Sequence, residues 1–238
     1  AGRQAKGTAI VNLLSLAGSD TIQAVIPVRD YSDDLFLFMA TRQGMVKKSV
    51  LSEYDSARKD GLIAINLDEG DELIGVKLTS GAEEIILSTA GGAAIRFNEE
   101  EVRSMGRATR GVRGISLEIV DHVVSMDSMQ ENGELLVLSK HGYGKRTPLA
   151  DFRITHRGGK GVYAMRCNEK TGELVAIEVV RAGDEMMIIS REGIIIRVEV
   201  DGISEQGRYA QGVRVIKLGE GDAVVDMAKV LSRDEEED

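Results

Sequence analysis

The chain has 238 residues, 42% of them hydrophobic, with a formal net charge of −9, three histidines and one cysteine. That length and apolar content suffice for a packed core, while the lone Cys167 excludes an internal disulfide and fits a reducing compartment. No apolar run approaches the ~18 residues of a membrane span, and with no tryptophan and 4% aromatics the core falls to Ile, Val, Leu and Met.

In chain order, the first apolar segment is GTAIVNL from Gly7, preceded by Arg3 and Lys6. LFLFMA (35–40) reads as a strand, followed by a turn around Gly44 and a second basic strand. GLIAINL opens at Gly61, then an acidic loop (68–72) leads to the strand LIGVKL (73–78). EIILST (84–89) enters the turn at Gly92, and GVRGISL opens at Gly111. ELLVLS (134–139) enters the turn at Gly142, and GVYAMRC opens at Gly161. EMMIIS (185–190) enters the turn at Gly193. Over 194–200, Ile194, Ile196, Val198 and Val200 alternate with Ile195, Arg197 and Glu199, the period of two of a half-buried strand. GVRVIKL opens at Gly212, and the chain ends in RDEEED (233–238), expected to be unstructured. Stretches 49–57 and 98–104 can each hold a helical turn.

Two glycine series keep the same period. Gly7, Gly61, Gly111, Gly161 and Gly212 are 54, 50, 50 and 51 residues apart. Gly44, Gly92, Gly142 and Gly193 are 48, 50 and 51 apart. Each of the second series follows a Ser or Thr by three residues and precedes a Lys or Arg by four (Lys48, Arg96, Arg146, Arg197). A period of this size marks a modular array, and about four strands per unit is the size of a propeller blade. The expected class is all-β, with four full units and a partial one: 1–56, 57–106, 107–156, 157–207 and 208–230. The acidic tail, 231–238, follows.

Charge is phased with the repeat. Windows around the hairpin turns and the glycine-rich loops hold 22 of the 30 Lys and Arg and one of the 39 acids, Glu192. Equivalent positions of an array share a surface, so these residues are expected to form a basic stripe, a track for a polyanion such as duplex DNA. The candidate contacts are Arg3, Lys6, Arg42, Lys47, Lys48, Arg58, Lys59, Arg96, Arg107 and Arg110. Further along they are Arg113, Lys140, Lys145, Arg146, Arg153, Arg157, Lys160, Arg191, Arg197 and Arg208. The glycines of the loops serve tight turns, and could also let backbone amides approach phosphate.

Catalytic chemistry is not legible. His122, His141 and His156 are isolated, there is no phosphate-binding Walker loop, and Tyr209 stands where sister units have Thr109 and Gly158. No cofactor is expected.

The repeat closely resembles that of the C-terminal domain of the DNA gyrase A protein, in the type IIA topoisomerase family. The matching stretches are GRQAKGTAIVNLL, ATRQGMVKK, GLIAINLDEGDELIGVKL, GRATRGVRGISL, HGYGKRTPL, THRGGKGVYAM and QGRYAQGVRVIKLGEGD. The resemblance implies a β-pinwheel, a propeller-like array whose blades exchange strands. It implies duplex DNA as partner, wrapped with a positive hand around a basic rim to support ATP-dependent negative supercoiling. It further implies a bacterial, cytoplasmic and nucleoid-associated parent, with its own N-terminal cleavage region and the gyrase B protein (the ATPase) as partners and no membrane. The family's Gln-Arg-Arg-Gly-Gly-Lys/Arg-Gly box has only a degenerate counterpart, Thr155-His156-Arg157-Gly158-Gly159-Lys160-Gly161. The expectation is therefore a piece of a longer protein, with the full box and the catalytic tyrosine lying elsewhere. The paralogous domain of topoisomerase IV is the alternative within the class, less favoured by such regular glycine phasing. A propeller-type protein-interaction module is the alternative outside it. The acidic end resembles the tails of some family members, which points to competition with DNA for the basic rim, or simply to solubility.

Overall fold

The computed structural model describes residues 21–56, 61–129 and 133–230. Among these residues, fifteen strands form four antiparallel sheets. The first is β3(Leu73–Thr79)-β1(Phe36–Thr41)-β2(Met45–Val50)-β6(Val112–Arg113). The second is β7(Val123–Met129)-β4(Glu84–Thr89)-β5(Ala93–Asn98)-β10(Val162–Tyr163). The third is β11(Leu174–Val180)-β8(Glu134–Ser139)-β9(Tyr143–Pro148)-β14(Val213–Arg214). The fourth has three strands among the described residues: β15(Val224–Val230)-β12(Glu185–Ser190)-β13(Ile195–Glu199). Among the described residues there is no α-helix, and so none able to cross a membrane. Short 3-10 turns at Leu51–Tyr54, Glu99–Glu101, Leu149–Asp151 and Val200–Gly202 close each hairpin.

Each blade is built from a hairpin, an inner strand that follows it, and an outer strand sent back from beyond the next hairpin. β6 leaves the second hairpin and returns to the first sheet, where Val112 pairs with Val46 and Arg113 with Met45. β10 and β14 repeat this one blade on. The sequence repeat therefore marks the period but not the sheet, because every sheet with four strands draws on three successive repeats. The outer strands are also shorter than the glycine-opened segments suggested, with two ladder residues each. The segment 61–67, read as a strand, pairs with none among the described residues. By the rule that places β6 and β10, the hairpin it would edge is not among those residues either. The segment 7–13 and the tail 231–238 also lie outside the described residues.

The exchange depends on glycine. Gly111 has φ +86, and a Cβ there would sit 2.3 Å from the Val46 carbonyl oxygen. Only a residue without a side chain lets the outer strand close onto β2 in this conformation. Gly161 and Gly212 stand the same way against Ala94 and Gly144.

The core lies between blades. Phe38, Ala40 and Val46 of the first sheet meet Ile85, Leu87, Ile95 and Phe97 of the second. Ile86, on the other face of β4, meets Leu135, Val137 and Tyr143 of the third. Leu136 and Leu138 then meet Met186 and Ile188 of the fourth. Strands β4 and β8 are buried on both faces, so they read as continuous apolar runs with no alternation. Among the described residues β13 has a blade on one side, so only Ile196 and Val198 are partly covered and it alternates.

Inner strands line the axis with polar groups. The Lys77 ammonium lies 2.7 Å from Asp127 and 3.9 Å from Glu178, and Lys229 lies 2.8 Å from Asp184. Burial raises Glu178 to about 7; Asp127 adds to the rise, and Lys77 and Lys229 oppose it.

Candidate nucleic-acid interface

Three outer segments run side by side along one edge: 103–113, 153–163 and 204–214. Each starts with a bridge to the hairpin behind it (Lys48 to Ser104, Arg96 to Ile154, Arg146 to Glu205) and ends in the outer strand. Arg107, Arg157 and Arg208 occupy one register position; Arg110 and Lys160 occupy the next, where Gln211 follows. Neighbouring segments are tied to each other. The Gly158 amide donates to the Gly114 carbonyl at 2.6 Å, the Ser116 hydroxyl to the Gly158 carbonyl at 2.8 Å, and Arg157 Nη1 to the Arg113 carbonyl at 3.0 Å. Ahead of them, the Asn66 side-chain amide donates to the Ala108 carbonyl at 2.9 Å. The edge is one continuous rim rather than separate loops.

The rim cations face water. Arg103, Arg110, Arg113, Arg153 and Lys160 are exposed, and Arg107, Arg157 and Arg208 are half-buried. Arg110 pairs with Asp68, and Lys160 with Glu118 at 3.0 Å. Such exposed pairs are worth roughly 0–1 kcal/mol, so a phosphate can displace the carboxylate. Tyr163 and Tyr209 meet at 5.8 Å between ring centroids, with the Arg208 guanidinium 5.5 Å from the Tyr209 ring. The degenerate box, 155–161, lies in the second of these segments.

The hairpin-strand cations do something else. Lys47 and Lys145 are fully buried, and Lys48 nearly so. The Lys47 ammonium donates to the Ala64 and Arg107 carbonyls, and that of Lys145 to the Gly207 carbonyl at 2.5 Å. Burial pushes both down to about 8; Glu53 pulls Lys47 back up and Arg107 adds to its fall, while at Lys145 Arg208 adds to the fall and Asp151 resists it. Lys48 donates to the Glu99 carbonyl at 3.0 Å. Arg96 pairs with Glu84 and caps the Leu149 and Phe152 carbonyls. Arg146 pairs with Glu134 and caps that of Ile203 at 2.7 Å. These side chains turn inward and knit one blade to the next. Lys47, Lys48, Arg96, Lys145 and Arg146, expected on the basic stripe, are therefore withdrawn from it. For the three lysines burial is the reason, since a phosphate cannot reach an ammonium closed off by backbone; the partly buried Arg96 and Arg146 are held by Glu84, Glu134 and backbone carbonyls.

The remaining candidates divide further. Arg197 is on β13, paired with Glu185. Arg42, Lys140 and Arg191 lie at hairpin turns, outside the three outer segments, with Arg42 4.0 Å from Glu72. Arg3, Lys6, Arg58 and Lys59 lie outside the described residues. Sequence reasoning passed over Arg103, whose place just ahead of Arg107 in a segment without acids was a usable signal. Acids that lie outside the hairpin windows in sequence return to the hairpins in space. Acidic loops cap the turns directly: Asp71 accepts from the Gln43 amide at 2.8 Å, Asp121 from Gly91 at 2.9 Å and Asp222 from Glu192 at 3.1 Å. Among the described residues no group of three or more His, Cys, Asp or Glu could hold a metal.

A profile of the family described as DNA gyrase C-terminal domain, beta-propeller, matches residues 36–80, 83–128, 133–181 and 184–230. Each of these four matches spans one hairpin and the inner strand that follows it. The chain belongs to this family. As a gyrase-type propeller it is 44% identical over 236 residues to the DNA gyrase A protein of Staphylococcus epidermidis, which covers 98% of this chain and 26% of that protein. It is also 44% identical to the DNA gyrase A protein of Staphylococcus aureus, over 99% of this chain and 27% of that one. The propeller thus spans about a quarter of the length of the relatives it matches. A solved DNA gyrase A C-terminal domain superposes with a TM-score of 0.87 at 29% identity, covering 96% of this chain and 76% of that one. A C-terminal domain of DNA topoisomerase IV superposes with a TM-score of 0.88 at 29% identity, over 94% and 70%. The two kinds of domain share this architecture.

Proposed function

We propose that this propeller binds duplex DNA without sequence preference and bends it around the rim. In that role it is the wrapping domain of a DNA gyrase A protein, supporting ATP-dependent negative supercoiling. The observation that carries the reading is the rim itself: outer segments of successive blades, the first two hydrogen-bonded and the third joined through the Tyr163–Tyr209 contact, set Arg107, Arg157 and Arg208 at one register along one edge. Phosphate contacts of this kind supply affinity without reading bases. A repeat of the contact from blade to blade offsets the roughly 1–6 kcal/mol that bending 20–30 base pairs costs. The parent's cleavage region and the gyrase B protein would be the working partners, in the bacterial cytoplasm.

Within the type II topoisomerases, the likeness of the topoisomerase IV domain keeps a second reading open. Full-length parent acting on relaxed circular DNA with ATP separates them, since the gyrase reading requires negative supercoils to be introduced. A protein-docking role for the acidic loops has less support, because Asp71, Asp121 and Asp222 are occupied with hairpin amides. The direct test of the DNA reading is affinity for a short and a long linear duplex, at low salt and near physiological salt. Binding should tighten with length and fall steeply with salt. No binding at low salt would overturn it.

A further inference from the structure

The rim weakens along its length. Residues 103–113 carry four arginines and no acid; 153–163 carry Arg153, Arg157 and Lys160 and no acid; 204–214 carry Arg208 and Arg214 together with Glu205. A duplex held by phosphate contacts is held least at the third segment. A second basic surface begins there. Beside β14, on the face of the hairpin turns, a hollow of about 500 Å³ is walled by Lys140, Lys170, Arg191, Arg214 and Lys217. Tyr143 is its floor: the Lys170 ammonium stands 5.1 Å and the Arg214 guanidinium 5.5 Å from the ring centroid, and Arg214 Nη2 donates to the tyrosine hydroxyl at 3.0 Å. Such ring contacts hold cations in place without neutralising them. The one carboxylate in the lining, Asp222, accepts from the Glu192 and Ala223 amides and lies within electrostatic reach of Arg191, so it offsets one of the five cations. Among the described residues none of the five cations comes within 4.0 Å of a carboxylate, unlike Arg110 or Lys160 on the rim. With five cations and one carboxylate around one concavity, the surplus positive charge repels itself until a further anion enters.

The repeat supplies its own control. The equivalent hollow one blade earlier, about 710 Å³, has Ala90, Gly91, Ala93 and Tyr163 where this one has Lys140, His141, Tyr143 and Arg214. Its wall includes Glu118 and Asp121, and its lysine, Lys160, is paired with Glu118. The scaffold builds this place with its one lysine paired to a carboxylate, so the surplus of positive charge in the third blade is not required by the fold.

We propose that the hollow is a second site for the phosphodiester backbone, taking the duplex off the rim at its weakest segment and turning it onto the hairpin face. Arg214 belongs to both surfaces, as the last residue of β14 and part of the hollow's wall. The inference rests on the rim reading of function.

The test is the double variant Lys170→Ala/Lys217→Ala, two exposed residues off the rim, run beside Arg107→Ala/Arg110→Ala. A long duplex labelled at both ends reports affinity, its salt dependence and end-to-end energy transfer. With the thermal midpoint unchanged, the hollow variant should lower the slope of log K against log salt by about two and shift the transfer efficiency. If both readouts match wild type while the rim variant lowers its slope, the hollow is off the DNA path and the proposal falls with the rim reading intact. If the rim variant is also silent, the rim reading fails and takes the proposal with it. If the hollow variant loses only inorganic tripolyphosphate and not duplex, the hollow is a small-anion site and the proposal is overturned.

Discussion

Lys145 and Arg157 carry the same charge on successive stretches of the chain, and both donate to backbone carbonyls of a neighbouring segment, but they differ in access to solvent. Lys145 is on β9, fully buried, with its ammonium on the Gly207 carbonyl. Arg157 is in an outer segment, reaching the Arg113 carbonyl along the rim while part of its surface remains open to solvent. The same contrast separates Lys47, Arg96 and Arg146 as a group from Arg107, Arg110 and Lys160. One set holds blades together and the other is available to a partner. Position across the blade, second strand or outer strand, decides the use of the charge.

The sharpest way to break the comparison is at Arg146. Arg146→Ala strips Glu134 and the Ile203 carbonyl of their partner in a partly buried setting, and should cost about 3 kcal/mol in denaturant unfolding. Duplex affinity of the folded variant should keep its salt slope. A slope reduced by about one at unchanged stability would move Arg146 back to the rim.

Lys47→Met tests whether a buried lysine supports the rim at a distance. The substitution leaves the Ala64 and Arg107 carbonyls without their donor, a loss of about 1–2 kcal/mol. Duplex affinity should fall several-fold with the slope kept, because the lysine positions the segment and touches no phosphate. A slope lowered by about one would make it a contact.

The axis sets a third contrast, between charges that wait for a partner and charges already crowded together. Glu178 is raised to about 7 from 4.5, so the folded state holds a proton that the unfolded chain releases between those values. Its contribution to stability is complete below pH 4.5 and is lost as pH rises through 7. Glu178→Gln should raise the melting temperature slightly at alkaline pH and flatten the decline across that window. An unchanged pH profile would mean that Asp127, Lys77, Lys229 and Asp226 absorb the charge.

The period, the hairpins and the middle strands were legible because glycine phasing and apolar runs are local. Ile85, Ile86 and Leu87 fall on alternate faces, yet all are buried by blades on both sides, which a continuous run announces. Strand exchange was legible only through the family resemblance. Nothing local in Val112 and Arg113 tells which of two hairpins they edge, since the pairing to Val46 and Met45 spans 66 and 68 residues. The rim was half legible. Arg107, Arg157 and Lys160 follow from charge phasing, but Lys47 and Lys145 satisfy the same phasing and differ only in burial, which depends on the returning outer strand. The hollow around Tyr143 was not legible, because Lys140, Lys170, Arg191, Arg214 and Lys217 come from four separate stretches of the chain.

The measurement that bears most directly on the rim is the salt dependence of duplex affinity for Arg107→Ala/Arg110→Ala beside wild type. The rim account predicts a slope of log K against log salt smaller by about two, with unfolding free energy within about 0.5 kcal/mol of wild type. An unchanged slope in a folded variant would contradict it and place the DNA elsewhere on the propeller.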